Sequence, residues 1–208
     1  MKLLAALAIC SLSFLVTEGG KPEPCSPPKL LEGNKVIDSP PCSVLLLKFD
    51  PSKPFLEFGR FSYDAVQKRV YFGKQVMIGV EKFISVEEFF LFEEAIMYRF
   101  HPQNRTCEKS ALRTPFPEIA IPQNATFSGQ VYIGGSSAPG EGVLANFWTF
   151  AVGDYFYGLT VTEFGCLLMS VFLQNKEGGW NLESFYDLTT GISDPSVFFP
   201  PSECNNLN

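Results

Sequence analysis

The stretch FLEFGRFSYDAVQKRVYFGKQ, residues 55–75, decides the fold class. Phe58, Arg60 and Ser62 alternate with Gly59, Phe61 and Tyr63, and RVYFG returns after a polar interruption. A period of two sends successive side chains to opposite faces of a strand, so the stretch reads as a hairpin turning at DAVQK. Asp64 as the N-cap of a short helix is the rival reading.

KFISVEEFFLFEEAIMYRFHP, residues 82–102, repeats the design. EFFLF is apolar on both faces, Glu93-Glu94 marks a turn, and IMYRF returns. Upstream, residues 21–54 hold eight of the sixteen prolines, which forbids helix and predicts an irregular lead-in with one strand at Ser43–Asp50. Leu112–Thr126 is a Pro-rich connection. The runs QVYIG, VLANFWTFAV, YFYGLTVTEF, CLLMSVFLQN and WNLESFYDLTT follow, separated by Gly, Asn, Asp or Glu. No 3.6-residue period persists beyond ten residues, so the chain is mostly antiparallel β, as two packed sheets or one strongly curled sheet.

The N-terminus reads as a secretory signal: Lys2, an apolar run from Leu3 to Val16, then Thr17-Glu18-Gly19-Gly20. The expected division is residues 1–20 as signal peptide and 21–208 as one β domain. The longest later apolar stretch, Leu167–Leu173, has the length of a strand, so the reading is an exported, soluble protein. The net charge of −6 and the lack of any Lys/Arg run argue against a nucleic-acid surface.

Cys10 leaves with the signal, and Cys25, Cys42, Cys107, Cys166 and Cys204 remain. With no CxxC pair and His101 as the only histidine, disulfides are favoured over zinc. Spacing does not choose among the possible pairings of two bridges, and one thiol is left over. Asn104-Arg105-Thr106 and Asn124-Ala125-Thr126 are sequons in polar, Pro-flanked loops, so Asn104 and Asn124 are glycosylation candidates.

Catalytic chemistry finds little support. His101 precedes a proline and reads as a solvated loop residue. IGGSSAPG puts Ala138 where a nucleophile elbow needs glycine. Glu93-Glu94 are adjacent turn residues that point apart, and no phosphate-binding glycine motif or EF-hand loop occurs. The chain reads as a non-enzyme. Its twenty-one Phe, seven Tyr and two Trp exceed what a small core needs, which admits a cavity for an acyl chain. Ten buried methylenes at about 0.8 kcal/mol each give a gross figure of about 8 kcal/mol, enough for micromolar binding. The competing class is a structural or adhesive glycoprotein of the extracellular matrix with no small ligand.

The motifs PCSPP, FSYD, RTCEK, IPQNATF, YIGG and DPSVFFPPSEC occur here in an order that resembles the ependymin family, from Cys25 to Cys204. The resemblance implies two stacked antiparallel sheets around an apolar pocket, similar to the bacterial lipoprotein carriers of the LolA type. It implies a secreted or lysosomal glycoprotein that forms homodimers and binds anionic lipids or other hydrophobic molecules. It also implies calcium binding with no cofactor required, a link to cell–matrix adhesion, and no enzymatic activity. The family's bridges would fall on Cys25 with Cys166 and Cys107 with Cys204, leaving Cys42 unpaired or intermolecular. Candidate pocket residues are apolar members of the strand runs: Phe90, Phe92, Tyr98, Phe147, Trp148, Phe150, Phe156 and Phe172. The tail DPSVFFPPSEC then reads as an extended clip, pressing Phe198 and Phe199 onto the sheet and locked by Cys204.

Overall fold

The computed structural model describes residues 21–39, 55–78 and 82–205. The expected signal peptide, Cys42 and the Ser43–Asp50 strand lie outside the described residues. The strands are β1 (Leu30–Ser39), β2 (Phe55–Asp64), β3 (Arg69–Ile78), β4 (Lys82–Leu91), β5 (Ile96–His101) and β6 (Thr106–Ala111). After the proline-rich connector come β7 (Thr126–Gly134), β8 (Gly142–Val152), β9 (Tyr155–Thr162), β10 (Leu168–Asn175) and β11 (Trp180–Thr190).

The mostly β, antiparallel expectation holds, and hydrogen bonding joins the strands of the described residues into one eleven-stranded sheet ordered β6-β5-β4-β3-β2-β1-β11-β10-β9-β8-β7. The two halves of that order meet where β1 pairs with β11, Lys35 opposite Phe185 and Ile37 opposite Glu183. In the hairpin of residues 55–75 the pairing runs unbroken from Phe55 opposite Ile78 to Asp64 opposite Arg69. Asp64 does act as a cap, but of the tight turn: its Oδ1 accepts from the Val66 and Gln67 amides at 3.0 and 2.9 Å. Arg69 Nε donates to its other oxygen at 3.0 Å. A carboxylate that satisfies two turn amides and an arginine leaves no need for a helix.

Two strands escape the sequence reading. β1 lies inside the proline-rich lead-in, in a proline-free window between Pro28 and Pro40. Averaging proline over residues 21–54 hides it. β6, TCEKSA, is an almost fully exposed edge strand with charged Glu108 and Lys109, so it lacks the apolar alternation of a half-buried strand.

The sheet must curl. β6 and β7 are its opposite edges, yet residues 112–125 connect them. Laid flat, strands about 4.8 Å apart would hold those edges about 48 Å from each other. The connector's roughly fifteen residue steps reach about 50 Å at full stretch, and it must also return along the length of β7. It is pinned on the way: Tyr63 Oη accepts from the Ile119 amide at 3.2 Å and donates to the Pro117 carbonyl at 3.3 Å. The Ile121 amide donates to the Cys25 carbonyl at 3.1 Å.

This crossing defines a core face. Leu31, Phe61, Tyr63 and Phe72 form one buried cluster, and Ile121, Ala125, Trp148, Leu159, Val161, Cys166 and Leu168 form another. Ile119 and Phe185 pack against both, so connector and β11 weld the halves together. Cys25 and Cys166 are joined at the end of the sheet where the connector leaves β6.

The tail crosses the other, outer face. It carries two short 3-10 helices, Pro195–Phe198 and Ser202–Cys204, so it is not the wholly extended clip expected from its prolines. Pro195 starts the first of them, because its fixed φ suits a helical first turn as well as an extended chain. Phe198 is buried under Arg69, whose guanidinium stands 4.3 Å from the ring centroid. Phe199, expected to press inward too, is 68% exposed, since adjacent residues cannot both face the sheet. Cys204 is joined to Cys107 and packs on Phe89 and Phe100.

Phe198→Ala should lower the unfolding free energy by about 3–5 kcal/mol, while Phe199→Ala should change it by less than about 0.5 kcal/mol. Urea denaturation of the two variants measures the contrast. Cys204→Ser should remove up to about 4.7 kcal/mol in the chain-entropy account of a loop this long; unchanged melting would leave the bridge without a stabilising role.

Candidate functional site

Across the middle of the core face runs a band of charge that an apolar interior does not require. The row Lys35–Gly59–Lys74–Val86 is fixed by register through β1, β2, β3 and β4. Gly59 matters here: a side chain would strike the Gly73 carbonyl on β3, and its absence leaves space between the two lysines. Lys35 Nζ lies 4.9 Å from the centre of the Phe72 ring, and Lys74 Nζ lies 5.1 Å from it.

Carboxylates flank both. Lys74 Nζ is 2.9 Å from Glu57 Oε2 and 2.8 Å from Glu88 Oε2, with all three side chains buried. Arg99 donates through Nε and Nη2 to Glu88 Oε1 at 3.0 and 2.9 Å. On β1, Lys35 Nζ is 2.9 Å from Glu183 Oε2, and this pair is more open to solvent. Three basic and three acidic groups thus make an electrically balanced band. Burial alone would raise the Glu88 pKa, but Lys74 and then Arg99 outweigh it and hold the carboxyl below its ordinary value.

Apolar residues continue beyond the band toward the end of the sheet opposite the Cys25–Cys166 bridge. Phe150 and Tyr157 stack there with centroids 5.0 Å apart and planes inclined by 3°. Leu173, opposite Tyr157 on β10, and Ile37 on β1 share that face. All are only partly buried. At the other end Trp148 is 1% exposed, edge-on to Phe127 at 5.4 Å, and its indole Nε1–H is buried with no partner among the described residues.

The eight candidate aromatics divide between the faces. Phe90, Trp148 and Phe150 lie on the core face, and Phe92, in the turn after β4, meets Phe116 of the connector edge-on at 5.2 Å. Tyr98 belongs to the outer face, beside Phe89 and the Cys107–Cys204 bridge. Phe147, Phe156 and Phe172 are outer-face residues of β8, β9 and β10, with Phe156 42% exposed. Identity as an aromatic does not tell the faces apart. Parity does, because one residue's shift in register moves a strand's whole set of side chains across the sheet.

The charged band was missed by the sequence reading, although it left a mark. Lys74 occupies the parity of Val70, Phe72 and Val76, and Glu88 that of Val86 and Phe90. A charge in the apolar phase of a strand is the signal. His101, half-buried at the end of β5, has Nε2 3.9 Å from Glu108 Oε1. Glu93 and Glu94 are exposed turn residues. Asn104 and Asn124 are both exposed, and Asn104 Oδ1 accepts from Thr106 Oγ1 at 2.7 Å within its own sequon. No three His, Cys, Asp or Glu among the described residues come together as a group that could hold a metal ion.

The Ependymin family model matches residues 80–204. Mammalian ependymin-related protein 1 of Rattus norvegicus is 27% identical over 200 residues, covering 94% of this chain and 82% of that protein. Ependymin-2 of Carassius auratus is 26% identical over 210 residues, covering 100% of this chain and 91% of that protein. Among solved structures, an uncharacterized conserved protein from Thermus thermophilus aligns with a TM-score of 0.49 at 7% identity, over 85% of this chain and 88% of its own.

Lys74→Met would leave the buried Glu57 without its ion-pair partner, beside a Glu88 held by Arg99 alone. It should lower stability by about 3–5 kcal/mol, read by chemical denaturation at pH 7. The Glu88 contribution runs the other way with acid: its folded pKa is lowered, so the contribution is complete above the ordinary carboxylate range and drains as pH falls through the folded value. Glu88→Gln should therefore flatten the acid limb of the stability–pH curve.

Proposed function

The chain belongs to the ependymin family, and on that premise we propose a secreted glycoprotein that holds a hydrophobic ligand with an anionic head, a fatty acid or acidic phospholipid, against its core face. The observation that carries this reading is the adjacency of Lys35 to apolar surface. Its ammonium is partly open to solvent and paired with Glu183, which is somewhat more open. It stands over the Phe72 and Phe185 rings at 4.9 and 5.8 Å, on the same face as Phe150, Tyr157, Leu173 and Ile37. An acyl chain needs the second set, and an anionic head needs the first. Lys74 is a poorer head-group partner, since two carboxylates already hold it.

Secretion is supported by the Cys25–Cys166 and Cys107–Cys204 bridges, which belong to an oxidising compartment. Residues 1–20 would supply the address. Glycans are assigned to Asn104 and Asn124. The lowered Glu88 pKa suits the charged band to an acidic lumen such as the lysosome's. A homodimer is assigned to the outer face of β7–β11, where the large apolar residues Val131, Ile133, Val143, Phe156 and Tyr186 are all exposed. An apolar patch of this kind marks an association surface, and matrix partners would compete for it.

The test is mass spectrometry of the solvent extract of the full secreted protein against a matched control. Acidic lipid should be enriched from wild type, and Lys35→Glu should lose about tenfold or more of it by reversing the charge beside the head group. No enrichment in wild type would remove the carrier reading and leave the adhesive glycoprotein. Asn124→Gln should shed one glycan's mass, as seen by deglycosylation on a gel.

A further inference from the structure

The outer face of β3 and β4 has a recess that folding alone does not call for. Where the tail crosses, Phe199 lines two neighbouring surface recesses, of about 270 and about 240 Å³, the smaller being the more open to solvent. The larger holds Glu93 and Glu94 beside Arg69, which is already committed to Asp64 and to the Phe198 ring. The smaller is walled by Tyr71, Glu87, Phe89 and Phe199. Phe199 is 68% exposed and so adds little to the core; its ring stands as a partition between the cavities.

Glu87 is the other anomaly. It is only partly exposed, yet it makes no hydrogen bond or ion pair with any described residue. Burial pushes its pKa up, as it does that of Tyr71. Across the strands Glu87 faces Gly73, and Gly73 faces Arg60. Tyr71 fills the gap this glycine leaves: a methyl group at Gly73 would collide with its hydroxyl. The Tyr71 ring therefore lies along the sheet, 5.2 Å from Phe89 by centroids. An unpaired carboxylate thus sits among three aromatic side chains in an unfilled recess.

We propose that the smaller cavity binds an organic ammonium group, with the Glu87 carboxylate as its counter-ion and the Tyr71 and Phe199 rings as its walls. Aromatic faces attract cations, most of all alkylated ammonium ions that are weakly hydrated. The carboxylate adds the charge that rings alone lack. A cavity smaller than the roughly 300–1,000 Å³ of drug-sized sites admits a head group or a side-chain tip, not a whole large molecule. Calcium is the wrong ion, because it needs six to eight oxygens and the side chains lining this recess offer one carboxylate, a phenol and the Ser196 hydroxyl. Two sources supply the same chemistry: a choline-type lipid head group or the lysine side chain of a protein partner. The site lies on the opposite face of the sheet from Lys35, so it stands or falls apart from the acyl-chain reading.

The experiment titrates the full secreted protein with tetramethylammonium chloride, against sodium chloride at equal ionic strength, by calorimetry or ligand-observed NMR. Wild type should saturate in the millimolar range. Phe199→Ala, a change at an exposed side chain, should weaken binding by about three- to fivefold. Glu87→Gln should weaken it by about tenfold or more, and both variants should melt as wild type does. Phe199→Trp should bind at least as tightly as wild type. Competition by choline-headgroup vesicles assigns the site to lipid, and competition by N-acetyl-lysine amide assigns it to a protein partner. No saturable binding by wild type up to tens of millimolar, or wild-type affinity in both weakened variants, would overturn the proposal.

Discussion

Everything in this molecule follows from the short path between the sheet's two edges. Residues 112–125 join β6 to β7, and a flat eleven-stranded sheet would place those strands too far apart for the chain to reach. Curvature is therefore imposed by covalent connectivity, and the right-handed twist of strands supplies the sense in which the sheet can bend. Once bent, the sheet acquires a core face that the connector itself fills at one end. The hydroxyl of Tyr63 holds the Pro117 carbonyl and the Ile119 amide, which keeps the backbone groups of this crossing satisfied inside the core. Removing that hydroxyl would loosen the segment on which both buried clusters depend.

The two faces are stabilised by different physics. At the connector end the core face is hydrocarbon, built on Leu31, Phe61, Trp148 and Val161. Its middle is ionic, and Glu57, Lys74, Glu88 and Arg99 are stable there only as a set. Each ion withdrawn from water is compensated by a partner within 3.0 Å, and a hydrophobic replacement of the whole set would be no worse for folding. The outer face, by contrast, relies on the tail. Phe198 and the Cys107–Cys204 bridge close it over β3 to β6, whereas β7 to β11 keep their outer apolar residues in view.

The β character of the chain was legible because period two is a local property. Phe58 to Tyr63, the turn at DAVQK and the returns at RVYFG and IMYRF all became strands and turns in place. β1 was hidden by prolines that flank it without entering it, and β6 by lacking an apolar face altogether. The candidate aromatics other than Phe92, which falls in the turn after β4, lie in strands, but period two alone does not sort them into faces. Tyr98 and Phe90 are both aromatic strand residues, and only the pairing of β4 with β5 puts one against the bridge and the other toward the core. The ionic band was equally beyond reach, since Lys35 and Glu183 are 148 residues apart and meet only through β1–β11 pairing.

The sequence by itself determined most of the strands, the sequons, the disulfide chemistry expected of an exported chain and, through its motifs, the family. These depend on neighbours along the chain or on residue types in order. The tertiary structure decided which strands are edges, which residues share a face, and which of Phe198 and Phe199 is buried. It alone brought Lys35 to Glu183 and set Glu87, which has no partner among the described residues, beside Phe199. Those are outcomes of register and curvature, which arise from contacts between distant segments and leave no periodic trace in any one of them.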